Sequence, residues 1–258
     1  MKDFYLVDTH SHLYSEEFRS DIAEVLRRAE SEGVEKIYLP AIDSNSANSM
    51  FELEKMYPGR CLAMMGLHPC YVKENYLEEL EFVKGWLQTR RFAAVGEIGL
   101  DYYWDRNFDS QQMDAFSFQV DLALQFDLPV VIHSRDSMDA SIKLIEGKQD
   151  GKLRGIFHCF SGTYEQAVQI IDLGFLLGIG GVLTYKKSGL SEVVEKLPME
   201  ALVLETDAPY LTPVPFRGKR NESSYIRYVA ARLAEIKRLP EEDVARITTA
   251  NAERLFKI

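Results

Sequence analysis

The chain has 258 residues, forty acidic against thirty basic side chains for a formal charge of −10, and a hydrophobic fraction of 46%. That fraction is ample for a sizeable core and excludes disorder over most of the chain. The acidic sum argues against broad attraction to nucleic acid or to an anionic membrane, while leaving room for a local basic site or a cation-holding acidic cleft.

In chain order, short apolar runs predict strands at 4–8, 36–41, 61–66, 92–97, 129–133, 155–158, 175–180 and 201–206. Most are near-continuous Val, Ile, Leu, Ala and Phe, as expected where helices cover the outer face of a parallel sheet. Helical patterns lie between them. Ile22, Val25, Leu26 and Ala29 follow the i, i+3, i+4, i+7 spacing. Thr163 with Gln166 forms a capping box ahead of Ala167, Ile170 and Ile171. Pro240 followed by Glu241 and Glu242 starts the last helix. Eight strands alternating with helices predict a single (β/α)8 TIM barrel over 1–258. An open doubly wound sheet is the alternative, but no Gly-rich phosphate loop follows the first strand.

Cys61, Cys70 and Cys159 are too few and too irregularly spaced for a disulfide framework or a thiolate zinc site. No apolar run approaches about 18 residues, and Met1-Lys2-Asp3-Phe4 carries an acid where a signal peptide places its apolar stretch. The expectation is a cytoplasmic protein with no membrane attachment and no obligate protein partner.

The five histidines, His10, His12, His68, His133 and His158, all fall at or just past the end of a predicted strand. In a barrel those ends share one rim, where active sites form. His10 and His12 stand one strand period apart, so they project to the same side and can share a cation. Asp8, one period further back, is placed for a hydrogen bond behind the ligands.

Glu97 closes the run from Phe92, beside glycines that allow close approach, and its two oxygens make it the candidate bridge between two cations. Asp207 follows the last strand and can ligate a metal and accept a proton. Glu205 points the same way from deeper in the barrel, where it would orient other ligands. Cys159, next to His158, is expected to face the opposite side of the strand and pack among helices. His10, His12, Glu97, His133, His158 and Asp207 together supply four imidazoles and two carboxylates, too many for one tetrahedral ion and suited to two. Imidazoles favour Zn²⁺ or Mn²⁺ over Mg²⁺.

Six segments then carry a resemblance: Asp8-Thr9-His10-Ser11-His12-Leu13, Gly66-Leu67-His68-Pro69, Gly96 through Tyr103, Val131 through Arg135, His158-Cys159-Phe160-Ser161-Gly162 and Glu205 through Tyr210. With the tail Pro215-Phe216-Arg217-Gly218-Lys219-Arg220-Asn221-Glu222, they resemble the TatD family of metal-dependent deoxyribonucleases in the family's order. The resemblance implies an amidohydrolase-type barrel with two divalent ions, Mg²⁺, Mn²⁺ or Zn²⁺. His10, His12 and Asp207 match the ligands of the first metal, Glu97 the bridge, and His133 and His158 the ligands of the second. Asp207 also matches the proton acceptor, and His68 a histidine contacting the scissile phosphate. Three positions depart from the pattern: Ser11, expected to face away from the ligands, stands where Cys or Ala is common, Tyr14 where an aspartate is common, and Tyr71 where a small or acidic residue is common.

The function taken forward is metal-dependent hydrolysis of phosphodiesters in DNA, exonucleolytic on single strands. Arg217, Lys219 and Arg220 are the expected phosphate contacts, and Tyr103, with Tyr102 and Trp104, the expected stacking surface for bases. The alternatives are an amide or ester hydrolase on the same barrel, and a binding protein that keeps its metals without turnover.

Overall fold

The computed structural model describes residues 4–257; the acid-bearing start, Met1-Lys2-Asp3, and Ile258 lie outside the described residues. Among the described residues, eight strands run in parallel: β1 (Leu6–Asp8), β2 (Val34–Pro40), β3 (Cys61–Met64), β4 (Val95–Asp101), β5 (Val130–Arg135), β6 (Gly155–Phe157), β7 (Leu176–Ile179) and β8 (Leu202–Leu204). They pair in sequence order, β1 to β3 and β4 to β8. Isolated parallel bridges at Met65–Val95 and Ser11–Ala208 close the two arcs into a barrel. This is the expected α/β barrel architecture.

Each predicted strand overlaps an observed one, and β4 differs most. The sequence reading ends it at Glu97, whereas the strand runs on to Asp101. A register shift between Val95 and Ile98 explains both the extension and the direction of Glu97. Ala94 faces the barrel interior, whereas Val95, Ile98 and Leu100 pack under the helices. The bulge turns the alternation so that Glu97 and Asp101, one period apart twice over, share the interior.

The helices cover the outside. In α1 (Ile22–Ser31) the buried positions are Val25, Leu26 and Ala29, as the spacing requires. The capping box of Thr163 and Gln166 is present at the head of α6 (Tyr164–Asp172). Pro240 stands one place earlier than a first-turn proline, as the residue capping α9 (Glu241–Phe256). This last helix seals the bottom of the barrel: Ala252, Leu255 and Phe256 cluster with Val7, Tyr38, Met64, Ala94, Val131, Ile156 and Val203. Phe256 stacks on Tyr38 at 3.9 Å between ring centroids. With one end plugged, the interior opens only at the C-terminal ends of the strands. Among the described residues, no helix is long and apolar enough to cross a membrane.

Candidate metal centre

Glu97 is the centre of the pocket. Its carboxylate is almost wholly buried, and imidazoles face both of its oxygens. Oε1 lies 2.8 Å from His158 Nε2, 3.0 Å from His133 Nδ1 and 3.2 Å from His68 Nε2. Oε2 lies 3.1 Å from His10 Nε2 and 3.4 Å from His12 Nε2. Asp207 Oδ1 is 3.7 Å from the same two nitrogens. Histidines from positions 10 to 158 therefore meet at one carboxylate, with Asp207 beside two of them. Ligand atoms within 4.8 Å of one another group as His10, His12 and Glu97, as His10, His158 and Asp207, and as His68, Glu97 and His133.

The donor set fits divalent cations. His10 Nε2 faces His12 Nε2 at 3.3 Å, and His133 Nδ1 faces His158 Nε2 at the same 3.3 Å. Lone pairs thus converge at two places, with Glu97 Oε2 buried and without a hydrogen-bond partner. Nitrogen and carboxylate donors so arranged are completed by cations. Protonation states in the pocket follow from the same proximity. Burial works to raise the Glu97 carboxyl, but His68, His158 and His10 outweigh it and hold it well below the usual range. Burial and neighbouring His158 push His10 well down. For His158, burial lowers but Glu97 and Glu205 outweigh it, leaving the ring well above its ordinary value.

Local structure fixes each ligand. Asp207 has a left-handed backbone, φ 56°, and its amide donates to the His10 carbonyl at 2.9 Å. Asn221 Nδ2 donates to the carbonyls of Thr206 and Tyr210, clamping the turn that carries it. Asp8 does not touch an imidazole. It is fully buried and accepts from the amide and hydroxyl of Thr206 and from the Ser223 hydroxyl, with a longer contact of 3.4 Å to the His10 amide. Its role is to join the first strand to the segment after the last. Glu205 lies behind His158, 3.6 Å from Nδ1, and accepts from the Cys159 amide.

Cys159 stands at the turn after β6. Its backbone is left-handed at φ 48°, because strand alternation stops at Phe157. Burial, Asp207 and Glu205 raise its thiol well above the ordinary range.

Asp101 is a functional residue that the sequence reading missed. Its carboxylate lies 2.8 Å from His133 Nε2 and accepts from the amides of Tyr103 and Trp104. Burial opposes its ionisation, but the bond from His133 outweighs that and holds the carboxyl low. A ligand imidazole backed by a carboxylate is a recurring device of metal sites. The signal was available, since Asp101 stands two strand periods beyond Glu97.

His68 lies in the loop after β3. Its Nδ1 accepts from the Cys70 amide at 3.0 Å, so in the neutral ring the proton sits on Nε2, facing the pocket. Burial lowers its pKa and favours that neutral form. Exposed aromatics ring the mouth: Tyr71 beside His68, Tyr210 beside His12, and Tyr103 and Trp104. The Arg135 guanidinium lies 3.8 Å from the Tyr103 ring. Of the basic loop, Arg217 stacks on Tyr185 at 3.8 Å and Lys219 Nζ lies 5.5 Å from the Phe216 ring. Arg220 is committed elsewhere, bonded through two nitrogens to Asp21 at 2.6 and 2.8 Å.

Comparison with known proteins agrees with this geometry. Residues 7–257 match the family model described as TatD related DNase. The uncharacterized metal-dependent hydrolase YabD of Bacillus subtilis is 39% identical over 98% of this chain and 99% of its own. The crystal structure of YjjV, a TatD homolog from Escherichia coli, superposes with a TM-score of 0.93 at 33% identity, covering 98% of both chains. A lactonase from Listeria monocytogenes, at 11% identity and a TM-score of 0.68, shares the fold alone; the match covers 99% of this chain and 95% of the lactonase.

Proposed function

The chain belongs to the TatD family of metal-dependent hydrolases, and on that premise we propose that it cleaves phosphodiester bonds of single-stranded DNA, exonucleolytically, with two divalent cations. The observation that carries the reading is Glu97, one carboxylate presenting each oxygen to a different set of imidazoles. His10, His12, Glu97 and Asp207 would hold one ion, and Glu97, His133 and His158 the other. Cations bound there supply charge neutralisation at the phosphate and a water acidified toward neutral pH.

The side chains do the rest. Asp207 takes the proton released by the attacking water. Without a cation, burial raises its carboxyl to about 6 against the opposing pull of His158 and His12, and its carboxylate form can accept a proton. His68, its Nδ1 occupied by the Cys70 amide, donates from Nε2 to a phosphate oxygen. Arg217 and Lys219 contact neighbouring phosphates; Arg220, tied to Asp21, stabilises the loop that presents them. Tyr103 and Trp104, with Arg135 stacked between loop and ring, receive unstacked bases. The position of His68 and the aromatic mouth favour a phosphodiester over a carbonyl substrate. The test is an end-labelled single-stranded oligonucleotide assayed beside N-acyl and lactone substrates with Mg²⁺, Mn²⁺ or Zn²⁺. Stepwise shortening from one end is expected; turnover of the carbonyl substrates with an intact oligonucleotide would overturn the proposal.

A further inference from the structure

We propose that Tyr14 is a positioning residue that decides which nitrogen of His12 is free for a cation, a role that rests on the metal-binding reading of the pocket. Tyr14 Oη lies 2.6 Å from the carbonyl oxygen of Pro40. A carbonyl only accepts, and two oxygens come that close only with a hydrogen between them, so the phenolic hydrogen lies on this line. The same Oη is 3.1 Å from His12 Nδ1. With its hydrogen directed at Pro40, the phenol has only a lone pair to offer there. His12 therefore donates from Nδ1, and in the neutral ring the lone pair sits on Nε2. That nitrogen faces Glu97 Oε2 at 3.4 Å and Asp207 Oδ1 at 3.7 Å.

The other ligand histidines are treated differently. Asp101 backs His133 at 2.8 Å and Glu205 stands 3.6 Å behind His158, while neither His158 Nδ1 nor His10 Nδ1 has a hydrogen-bond partner among the described residues. Of these four candidate ligands, His12 alone is held by a neutral group among the described residues, which orients the ring without adding charge behind it. The phenol is itself held at both ends, its ring packed on the core and its hydroxyl on the backbone at the end of β2.

The test uses protein labelled with ¹⁵N-histidine, before and after Mn²⁺ addition. In the parent, the ring spectrum before addition should place the neutral His12 proton on Nδ1. Tyr14→Phe keeps the ring and removes Oη; it should give a mixture of tautomers and weaken one Mn²⁺ site by about 10–100-fold in calorimetry, with the second site unchanged. A parent that binds two ions with the His12 proton on Nε2 overturns the positioning role alone. So does Tyr14→Phe with parental tautomer and parental affinity at both sites. A parent with the proton on Nδ1 that takes up no Mn²⁺ overturns the metal reading and the role with it. Should Tyr14→Phe fail to fold, the parent spectrum and the parent titration decide.

Discussion

At Glu97, burial and ligand charge pull in opposite directions, and the imidazoles win. The same residue shows why a buried carboxylate is tolerated at all: five ring nitrogens lie within 3.4 Å of its two oxygens, so removing it leaves those rings without a common partner. Glu97→Ala is expected to fall below about a tenth of parental nuclease activity, the scale on which metal-site partners act. Elemental analysis of the same variant should show reduced metal content. Nuclease activity above that level with full metal content would show that Glu97 does not join the two sites. At this scale the sequence was informative: the His, Asp and Glu side chains that the fold brings together were legible at strand ends, because chemistry restricts candidate ligands to such types. Asp101 escaped notice and Tyr14 stood out only as a departure from the family pattern, since neither stands at a predicted strand end, and what each does depends on a partner far away in the chain or on a backbone carbonyl.

The β4 element is where the site is aimed. Gly99, with φ 135°, leaves no room for a side chain: an added Cβ would lie 2.0 Å from the carbonyl oxygen of His133. β4 and β5 thus approach closely at the level where Glu97 and His133 meet, and the register pairs Gly99 with His133 itself. Gly99→Ala is expected to destabilise the fold by about 1–3 kcal/mol through overpacking and an unfavourable backbone angle, and to reduce metal uptake, because the strand that gives way carries one ligand and touches another. Thermal melts with and without Mn²⁺ check both: a variant that melts like the parent and gains as much from Mn²⁺ would show that β4 tolerates the group. Periodicity located β4 but not its bulge, since the register shift arises from pairing with β5 and leaves no trace in the hydrophobic pattern.

For the whole molecule, the charge of −10 and the basic loop act at different ranges. A surplus of acid repels DNA at long range, so on the proposed function binding would rest on few local phosphate contacts and its salt dependence should be shallow. Arg217→Ala is expected to weaken binding of a single-stranded oligonucleotide and to reduce the slope of log K against log salt by about 0.7 per lost phosphate contact. Arg220→Ala should leave that slope unchanged while lowering the melting temperature, since its guanidinium pairs with Asp21 rather than facing the mouth. Fluorescence anisotropy at several salt concentrations separates the two; equal slopes for parent and Arg217→Ala would remove Arg217 from the interface.

Alternating apolar runs and helical spacing were enough, in the sequence alone, to specify the barrel, because a parallel sheet covered by helices needs buried strands and amphipathic covers in strict alternation. They also placed the ligand residues on one rim, since parallel strands end together. What only the tertiary structure decided was direction and pairing. The bulge in β4 turns Glu97 inward, and Asp21 draws Arg220 away from the mouth. Each depends on a partner distant in the chain, and contacts of that kind are fixed by packing in three dimensions rather than by any local pattern.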